Sequence, residues 1–69
     1  MDSLYPNLSA IMDNRGVSIQ NLAEIIGRSE EIVHLKLIGV RQWDLSEAVS
    51  ICRYFNYPDL RTLFVRKLR

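Results

Sequence analysis

The sequence predicts an all-α fold, a compact domain of five short helices. Apolar residues recur at spacings of three and four, the period of an amphipathic helix, and the alternation typical of strands never persists. Asn, Ser, Asp, Gly and Pro separate the apolar segments at positions where helices begin and end. The chain has 69 residues, and a domain of that size buries only about 60% of the surface that its unfolded chain exposes. We therefore expect one small domain over residues 1–69.

Turn residues and apolar periodicity together set the expected bounds of the helices. The first helix is predicted to begin at about residue 6 or 7 and to end at residue 15, and the other four are predicted at about residues 19–26, 30–38, 45–55 and 59–66. The expected N-caps of the first four helices are Asn7, Ser18, Ser29 and Asp44. Asp44 and Glu47 have the spacing of a capping box. The fourth helix has the clearest inner stripe, which comprises Leu45, Ala48, Ile51, Cys52 and Phe55.

The composition excludes several classes of protein. Hydrophobic residues make up 48% of the chain and charged residues 25%, values that are typical of a globular protein rather than a disordered one. No apolar run approaches the roughly 20 residues of a transmembrane helix. The first residues lack the basic and apolar regions of a signal peptide. We therefore expect a cytoplasmic protein with no membrane partner.

Residues that could carry catalysis or hold a metal are few. The chain has one cysteine, Cys52, and one histidine, His34, so neither an internal disulfide nor a Cys/His zinc site is expected. We find no Gly-rich phosphate loop and no cluster of catalytic side chains in the sequence. We expect no enzymatic activity, no metal, no cofactor and no small-molecule ligand.

The charge of the chain is unevenly distributed. The net charge is +1, which is weak for a protein that binds nucleic acid. Residues 1–27 contain one basic and three acidic residues, whereas residues 43–69 contain five basic and three acidic ones. The sequence therefore predicts a modest basic bias toward the C-terminal half.

The segment from residue 18 to residue 41 is the most informative part of the chain. Gly27 can adopt positive φ in a turn that is too short for other residues, and Ala23 is small where the two flanking helices would cross closely. A short turn with a glycine gives a large crossing angle, which leaves the second of the two helices projecting outward. A projecting helix fits the major groove of DNA. We therefore predict a helix-turn-helix at about residues 18–38.

The chain resembles the repressor/Cro-type helix-turn-helix family of phages and bacteria, the lambda-repressor-like fold. The residues that carry the resemblance read NLSAIMDNRGVS, IQNLAEIIGRSEEIVHLKLIGVR, WDLSEAVSICRYFN and PDLRTLF. They cover nearly the whole chain, from about Asn7 to Phe64. The run from Lys36 to Glu47 is similar to small phage-type regulators of Gram-positive bacteria.

The resemblance implies a role for ten side chains. In this family the N-terminal part of the third helix reads bases, while phosphates are held near the start of the second helix and after the third. By position, the implied base-reading residues are Ser29, Glu30, Glu31, His34 and Leu35. The implied phosphate contacts, which position the protein without reading sequence, are Ser18, Gln20, Arg28, Lys36 and Arg41.

Some residues depart from the family pattern or leave alternatives open. Glu30 and Glu31 stand where polar or basic residues are common, and Lys36 takes a position that is often apolar. Acidic residues in the first turn of a helix stabilise it by about 0.3–1 kcal/mol each. Glu30 and Glu31 therefore have either this role or that of accepting a hydrogen bond from cytosine N4. His34 is either a contact to DNA or a solvated surface residue.

Residues outside the helix-turn-helix suggest packing and pairing roles. Trp43 is expected to pack over the third helix, and Cys52 is expected to be a small buried residue. Tyr54, Val65 and Leu68 are candidates for an exposed apolar patch through which two copies pair as a homodimer at the C-terminal helix. The basic residues at the C-terminal end are either a tail on the DNA backbone or frayed.

These observations support two functional hypotheses. The first is a non-catalytic, sequence-specific transcriptional regulator of phage or mobile-element origin. It would place its third helix in the major groove of double-stranded DNA, and the expected outcome is repression. The second is a protein-interaction module of the anti-repressor kind, which Glu30, Glu31 and the near-neutral charge favour.

Overall fold

The computed structural model describes residues 3–67, which form five helices and no strand. The helices are α1 Pro6–Arg15, α2 Ile19–Ile26, α3 Glu30–Leu37, α4 Leu45–Phe55 and α5 Leu60–Leu63. The predicted all-α class and the order of the helices are thus confirmed. No helix among the described residues is long and apolar enough to cross a membrane. The extent of the domain over residues 1–69 stays a prediction.

Side chains cap the central helices as the sequence predicts. At the start of α2 the Ser18 hydroxyl oxygen accepts a hydrogen bond from the Asn21 backbone N–H at 3.2 Å, and Asn21 Oδ1 accepts one from the Ser18 backbone N–H at 3.0 Å. Ser29 Oγ accepts from the Ile32 N–H at 3.2 Å and so caps α3. Each cap satisfies backbone N–H groups that have no partner inside the helix, and this fixes where the helix begins.

The N-cap predicted for α1 is wrong. Tyr5 is the N-cap and Pro6 is the first residue of the helix, where its lack of an N–H group costs no hydrogen bond. Asn7 therefore lies inside the first turn. Its side-chain amide instead donates to the backbone oxygen of Thr62 at 2.8 Å, which ties α1 to α5.

The core lies where all five helices meet. Its largest fully buried side chains are Phe55, Leu8, Leu22, Leu37, Ile51, Leu63 and Val33. The stripe predicted for α4 is correct from Ala48 onward but wrong at Leu45, which is 71% exposed. Cα–Cβ bonds point toward the N-terminus of a helix, so the first side chain of α4 projects beyond the packed part of the helix. Cys52 is half-buried, and its thiol donates to the Tyr57 oxygen at 3.4 Å.

Two helices end earlier than the sequence predicts. α3 ends at Leu37 rather than Ile38, and α5 covers only Leu60–Leu63. α5 is capped by Asp59, whose carboxylate accepts from the Arg61 N–H at 3.1 Å. The helix is short because the chain beyond it turns back to the N-terminal segment, where it forms a backbone hydrogen bond instead of further helix.

The two ends of the described chain meet beside α3. The Leu4 N–H donates to the Leu37 oxygen at 2.9 Å, and the Lys67 N–H donates to the Leu4 oxygen at 2.6 Å. The rings of Tyr5, Trp43 and Phe64 contact one another edge to face, with centroids 5.4–6.3 Å apart. Trp43 also lies against α3, as predicted, because its ring centroid is 5.7 Å from the Lys36 Nζ. This aromatic cluster joins the N-terminal segment to α5 and to the loop after α3.

Candidate nucleic-acid interface

A tight turn sets the relation between α2 and α3. Gly27 adopts the left-handed conformation with φ of 70°, and the Arg28 N–H that follows donates to the Ala23 oxygen at 3.0 Å. Ala23 is buried at this crossing. With Val33 and Leu37 fully buried, the opposite side of α3 faces outward, which is the arrangement that the sequence predicts.

The predicted base-reading residues lie at the exposed N-terminal part of α3. Ser29, Glu30, Glu31 and His34 are exposed, and Leu35 is half-buried. Glu30 and Glu31 precede His34 by four and three residues, so the three side chains share one helix face. This face carries hydrogen-bonding groups of both kinds, because a carboxylate accepts and a hydroxyl or imidazole can donate.

The start of α2 lies open to solvent. Ser18 and Gln20 are both exposed. The Ser18 hydroxyl already donates to Asn21 Oδ1 at 3.0 Å, so it has no second proton to offer a phosphate. The groups left to donate here are the Gln20 side-chain amide and the backbone N–H groups of Ile19 and Gln20, which lack partners within the helix.

The burial of Lys36 disfavours the phosphate role expected for it, and that role stays a prediction. Lys36 is 4% exposed, and its ammonium donates to Glu47 Oε1 at 2.7 Å and to the Gln42 oxygen at 2.9 Å. The Trp43 ring covers the same ammonium. A buried ammonium with these partners cannot reach a phosphate without leaving them, so Lys36 joins α3 to α4.

Arg28 is only partly available to a ligand. Its Nε donates to Glu47 Oε2 at 2.9 Å, and its Nη2 lies 3.5 Å from Asp44 Oδ2. The side chain is nevertheless 49% exposed, which leaves part of the guanidinium at the surface. Two carboxylates therefore compete with any phosphate for this arginine.

Glu47 is the centre of this ionic cluster. It is 5% exposed and accepts from Lys36, from Arg28 and, at 3.0 Å, from the Asp44 backbone N–H. Burial acts to raise the pKa of the Glu47 carboxyl, but the hydrogen bonds from Lys36, Asp44 and Arg28 together lower that pKa below its ordinary value. Glu47 is therefore ionised at neutral pH and holds both cations.

Arg41 is a predicted phosphate contact that the structure leaves accessible. It is exposed, and it makes no ion pair with any residue between 3 and 67. Its backbone N–H donates to the Leu35 oxygen at 3.2 Å, which fixes the residue just beyond the end of α3. The acidic side chains Glu24, Glu30 and Glu31 are also exposed and unpaired within the described chain.

Glu47 was predicted only as part of a capping box, and its ion pairs with Lys36 and Arg28 were not predicted from the sequence. The available signal was Lys36, since a lysine next to the buried position Leu37 needs an acidic partner when the helix packs. Nothing in the spacing identified which of the acidic residues would supply it. The reciprocal bond of Asn21 at the start of α2 was also missed, although its position three residues after Ser18 fits a capping box.

Comparison with known proteins gives one match. A family model for the Cro/C1-type HTH DNA-binding domain matches residues 7–65, which is most of the chain. Neither curated proteins nor solved structures give a match. No group of three His, Cys, Asp or Glu side chains in residues 3–67 is placed to hold a metal ion. The helices around Gly27, the outward face of α3 and the family match agree, and the chain belongs to the Cro/C1-type helix-turn-helix DNA-binding family.

Proposed function

We propose that this protein is a sequence-specific transcriptional regulator that inserts α3 into the major groove of DNA. The observation that carries the proposal is the orientation of α3, whose apolar side is fully buried while Ser29, Glu30, Glu31 and His34 are exposed. An α-helix fits the major groove, and its outward side chains then meet the base edges. We further propose a phage or mobile-element repressor that acts in the cytoplasm by occupying an operator.

The proposed base contacts follow from the chemistry of each side chain. A carboxylate such as Glu30 or Glu31 accepts from cytosine N4, and a good base contact of this kind gives about 1–3 kcal/mol of discrimination. Ser29 and His34 offer hydrogen bonds to several base edges. Leu35 offers an apolar contact to a thymine methyl group. Glutamates repel phosphates, so we expect tight binding only where a cytosine faces one of them.

The proposed phosphate contacts are Arg41, Gln20 and the start of α2, with Ser18 acting through its position at the helix N-terminus. Arg28 is expected to contribute less to phosphate binding, because a phosphate must compete with Glu47 and Asp44 for its guanidinium. Phosphate contacts supply most of non-specific affinity and make it depend on salt.

Fluorescence anisotropy with random-sequence duplex DNA across a salt series tests the proposal. We expect a Kd of about 10⁻⁴ to 10⁻⁶ M near physiological salt, with log K falling by about 0.9 per log unit of salt for each phosphate neutralised. Arg41→Gln should reduce the slope by about 0.9. Arg53→Gln is the matched control, because Arg53 is an exposed arginine in the last turn of α4 that makes no ion pair within residues 3–67. Absence of binding even at low salt would refute the proposal.

A second candidate function is a protein-interaction module, and the charge of the α3 surface favours it. Lys36 is withdrawn into the core, while Glu24, Glu30 and Glu31 are exposed. The double variant Glu30→Gln and Glu31→Gln separates the two functions. A DNA-binding protein should gain non-specific affinity when the carboxylates are removed, whereas an interaction module should show no DNA binding in either form.

We also propose that two copies pair through the C-terminal region. Tyr54 and Val65 are 55% and 47% exposed, and Leu68 lies outside the described residues. Pairing would let the protein read two half-sites related by two-fold symmetry. Sedimentation equilibrium tests it, and we expect Tyr54→Glu to weaken any dimer without changing the helical circular dichroism signal. A monomer at all accessible concentrations, with and without DNA, would refute pairing.

A further inference from the structure

We propose that the C-terminal segment, residues 65–67, contributes a second set of DNA phosphate contacts, made by Arg66 and Lys67 together with Arg41. These three residues are called the terminal basic patch below. The inference rests on the proposed function, because it assigns the surface that meets the DNA backbone beside α3. It differs from the pattern implied by the helix-turn-helix motif, in which the cations of the motif itself hold the phosphates.

Backbone hydrogen bonds place Lys67 next to the end of α3. The Lys67 N–H donates to the Leu4 oxygen, and the Leu4 N–H donates to the Leu37 oxygen, the last residue of α3. Two successive hydrogen bonds therefore connect the C-terminal segment to the recognition helix. The segment is held in place by its backbone, while the Lys67 side chain is exposed.

Arg66 lies over the loop that leads from α3 to Arg41. A Cβ atom built on Gly39 would stand 3.1 Å from Arg66 Nη2, so the guanidinium passes directly above that glycine. The guanidinium carbon is also 6.0 Å from the centroid of the Tyr5 ring, a cation–π distance. Gly39 precedes Arg41 by two residues, and the two arginines therefore belong to one surface at the end of α3.

The positive charge at this surface has no acidic partner among the described residues. Arg41, Arg66 and Lys67 are all exposed, and none makes an ion pair within residues 3–67. In contrast, Lys36 and Arg28 are held by Glu47. The cations of the terminal basic patch are therefore more available to a phosphate than Lys36 and Arg28.

The slope of DNA affinity against salt tests this inference. In the full chain, Arg66→Gln with Lys67→Gln should reduce the slope of log K against log salt by about 1.8, or about 0.9 for each lost phosphate contact. Arg53→Gln is the control for removing an exposed positive charge elsewhere, and it should leave the slope unchanged. Lys67→Gln alone should reduce the slope by about 0.9. It should keep the fold, because the hydrogen bond that Lys67 makes within residues 3–67 comes from its backbone, which glutamine also has.

The outcomes separate this inference from the proposed function. If the wild-type protein binds DNA with a steep salt slope and both the double variant and Lys67→Gln retain that slope, the terminal basic patch does not meet DNA and only this inference fails. If the wild-type protein does not bind duplex DNA at all, the proposed function fails first. Circular dichroism melting of each variant shows whether the loss of the Arg66 contact with Tyr5 has disturbed the fold, and Lys67→Gln decides the question in that case.

Discussion

Removing Glu47 should destabilise the protein far more than removing either of its cationic partners. In Glu47→Leu the Lys36 ammonium stays buried and keeps only the Gln42 oxygen and the Trp43 ring. Breaking a buried ion pair from one side costs about 3–5 kcal/mol. At about 0.05–0.15 kcal/mol per residue, the whole chain of 69 residues has a stability of only about 3–10 kcal/mol. We therefore expect Glu47→Leu to lose at least about a third of the stability of the chain.

Replacing Lys36 should destabilise the protein less than replacing Glu47, because Glu47 accepts hydrogen bonds from several donors. In Lys36→Met, Glu47 still accepts from Arg28 Nε and from the Asp44 N–H, so no buried charge loses all its partners. We expect a cost of about 1.5–3 kcal/mol, which is that of one charge-assisted hydrogen bond. The double variant should recover most of the loss, since replacing a buried ion pair with apolar residues of similar volume is often neutral or stabilising.

Urea unfolding measured by circular dichroism and by the fluorescence of Trp43 tests this order. With a urea m value of about 1 kcal/mol/M, Glu47→Leu should lower the midpoint by about 3 M or more. Glu24→Leu, a change at an exposed glutamate in α2, is the matched control and should alter stability by no more than about 0.5 kcal/mol. The reasoning is refuted if Glu47→Leu behaves like this control, or if adding Lys36→Met to it restores nothing.

Three further predictions concern pH, a close backbone approach and a helix cap. The pKa of Glu47 is lowered on folding, so its contribution is fully present above its ordinary value of about 4.3 and is lost as the pH falls through the folded value. When the pH is lowered below about 4.3, the melting temperature should therefore decrease. The decrease should be smaller in Glu47→Gln. Gly39→Ala should lower the melting temperature more than Gly16→Ala does. Both glycines have positive φ, but only at position 39 would the new Cβ meet the Leu4 side chain. Thermal unfolding followed by circular dichroism compares the two variants. Ser29→Ala should cost about 1 kcal/mol by urea unfolding, and no loss would mean that its cap does not stabilise α3.

Most of the fold could be predicted because local signals and tertiary packing agree. The bounds of α2 follow from Ser18 and Gly27, each of which has a conformational role that no neighbour can fill. The errors occur where distant contacts decide. The last turn predicted for α5 is replaced by the hydrogen bond from Lys67 to Leu4, two residues at opposite ends of the chain. Local periodicity carries no information about such a pair.

The candidate site was predictable only in part. The exposed face of α3 follows from the helical period, since Val33 and Leu37 must point into the core. The availability of each cation does not, because it depends on which acidic side chain packs against it. Glu47 lies 11 residues after Lys36 and 19 after Arg28, and only the packing of α4 on the motif brings them together. Sequence spacing therefore predicted the exposed face of α3, but it did not predict which cations near that face are held by acidic side chains.

The hydrogen bond between Leu4 and Lys67 makes the chain suitable for circular permutation. Because residues 4 and 67 are already hydrogen-bonded, a linker of a few small residues could join the two ends without moving either. New ends could then be opened in the exposed turn around Asn56 and Pro58, between α4 and α5. Such a circular permutant would keep all five described helices. It would also carry any attached domain or label on the side of the turn between α4 and α5, away from the end of α3.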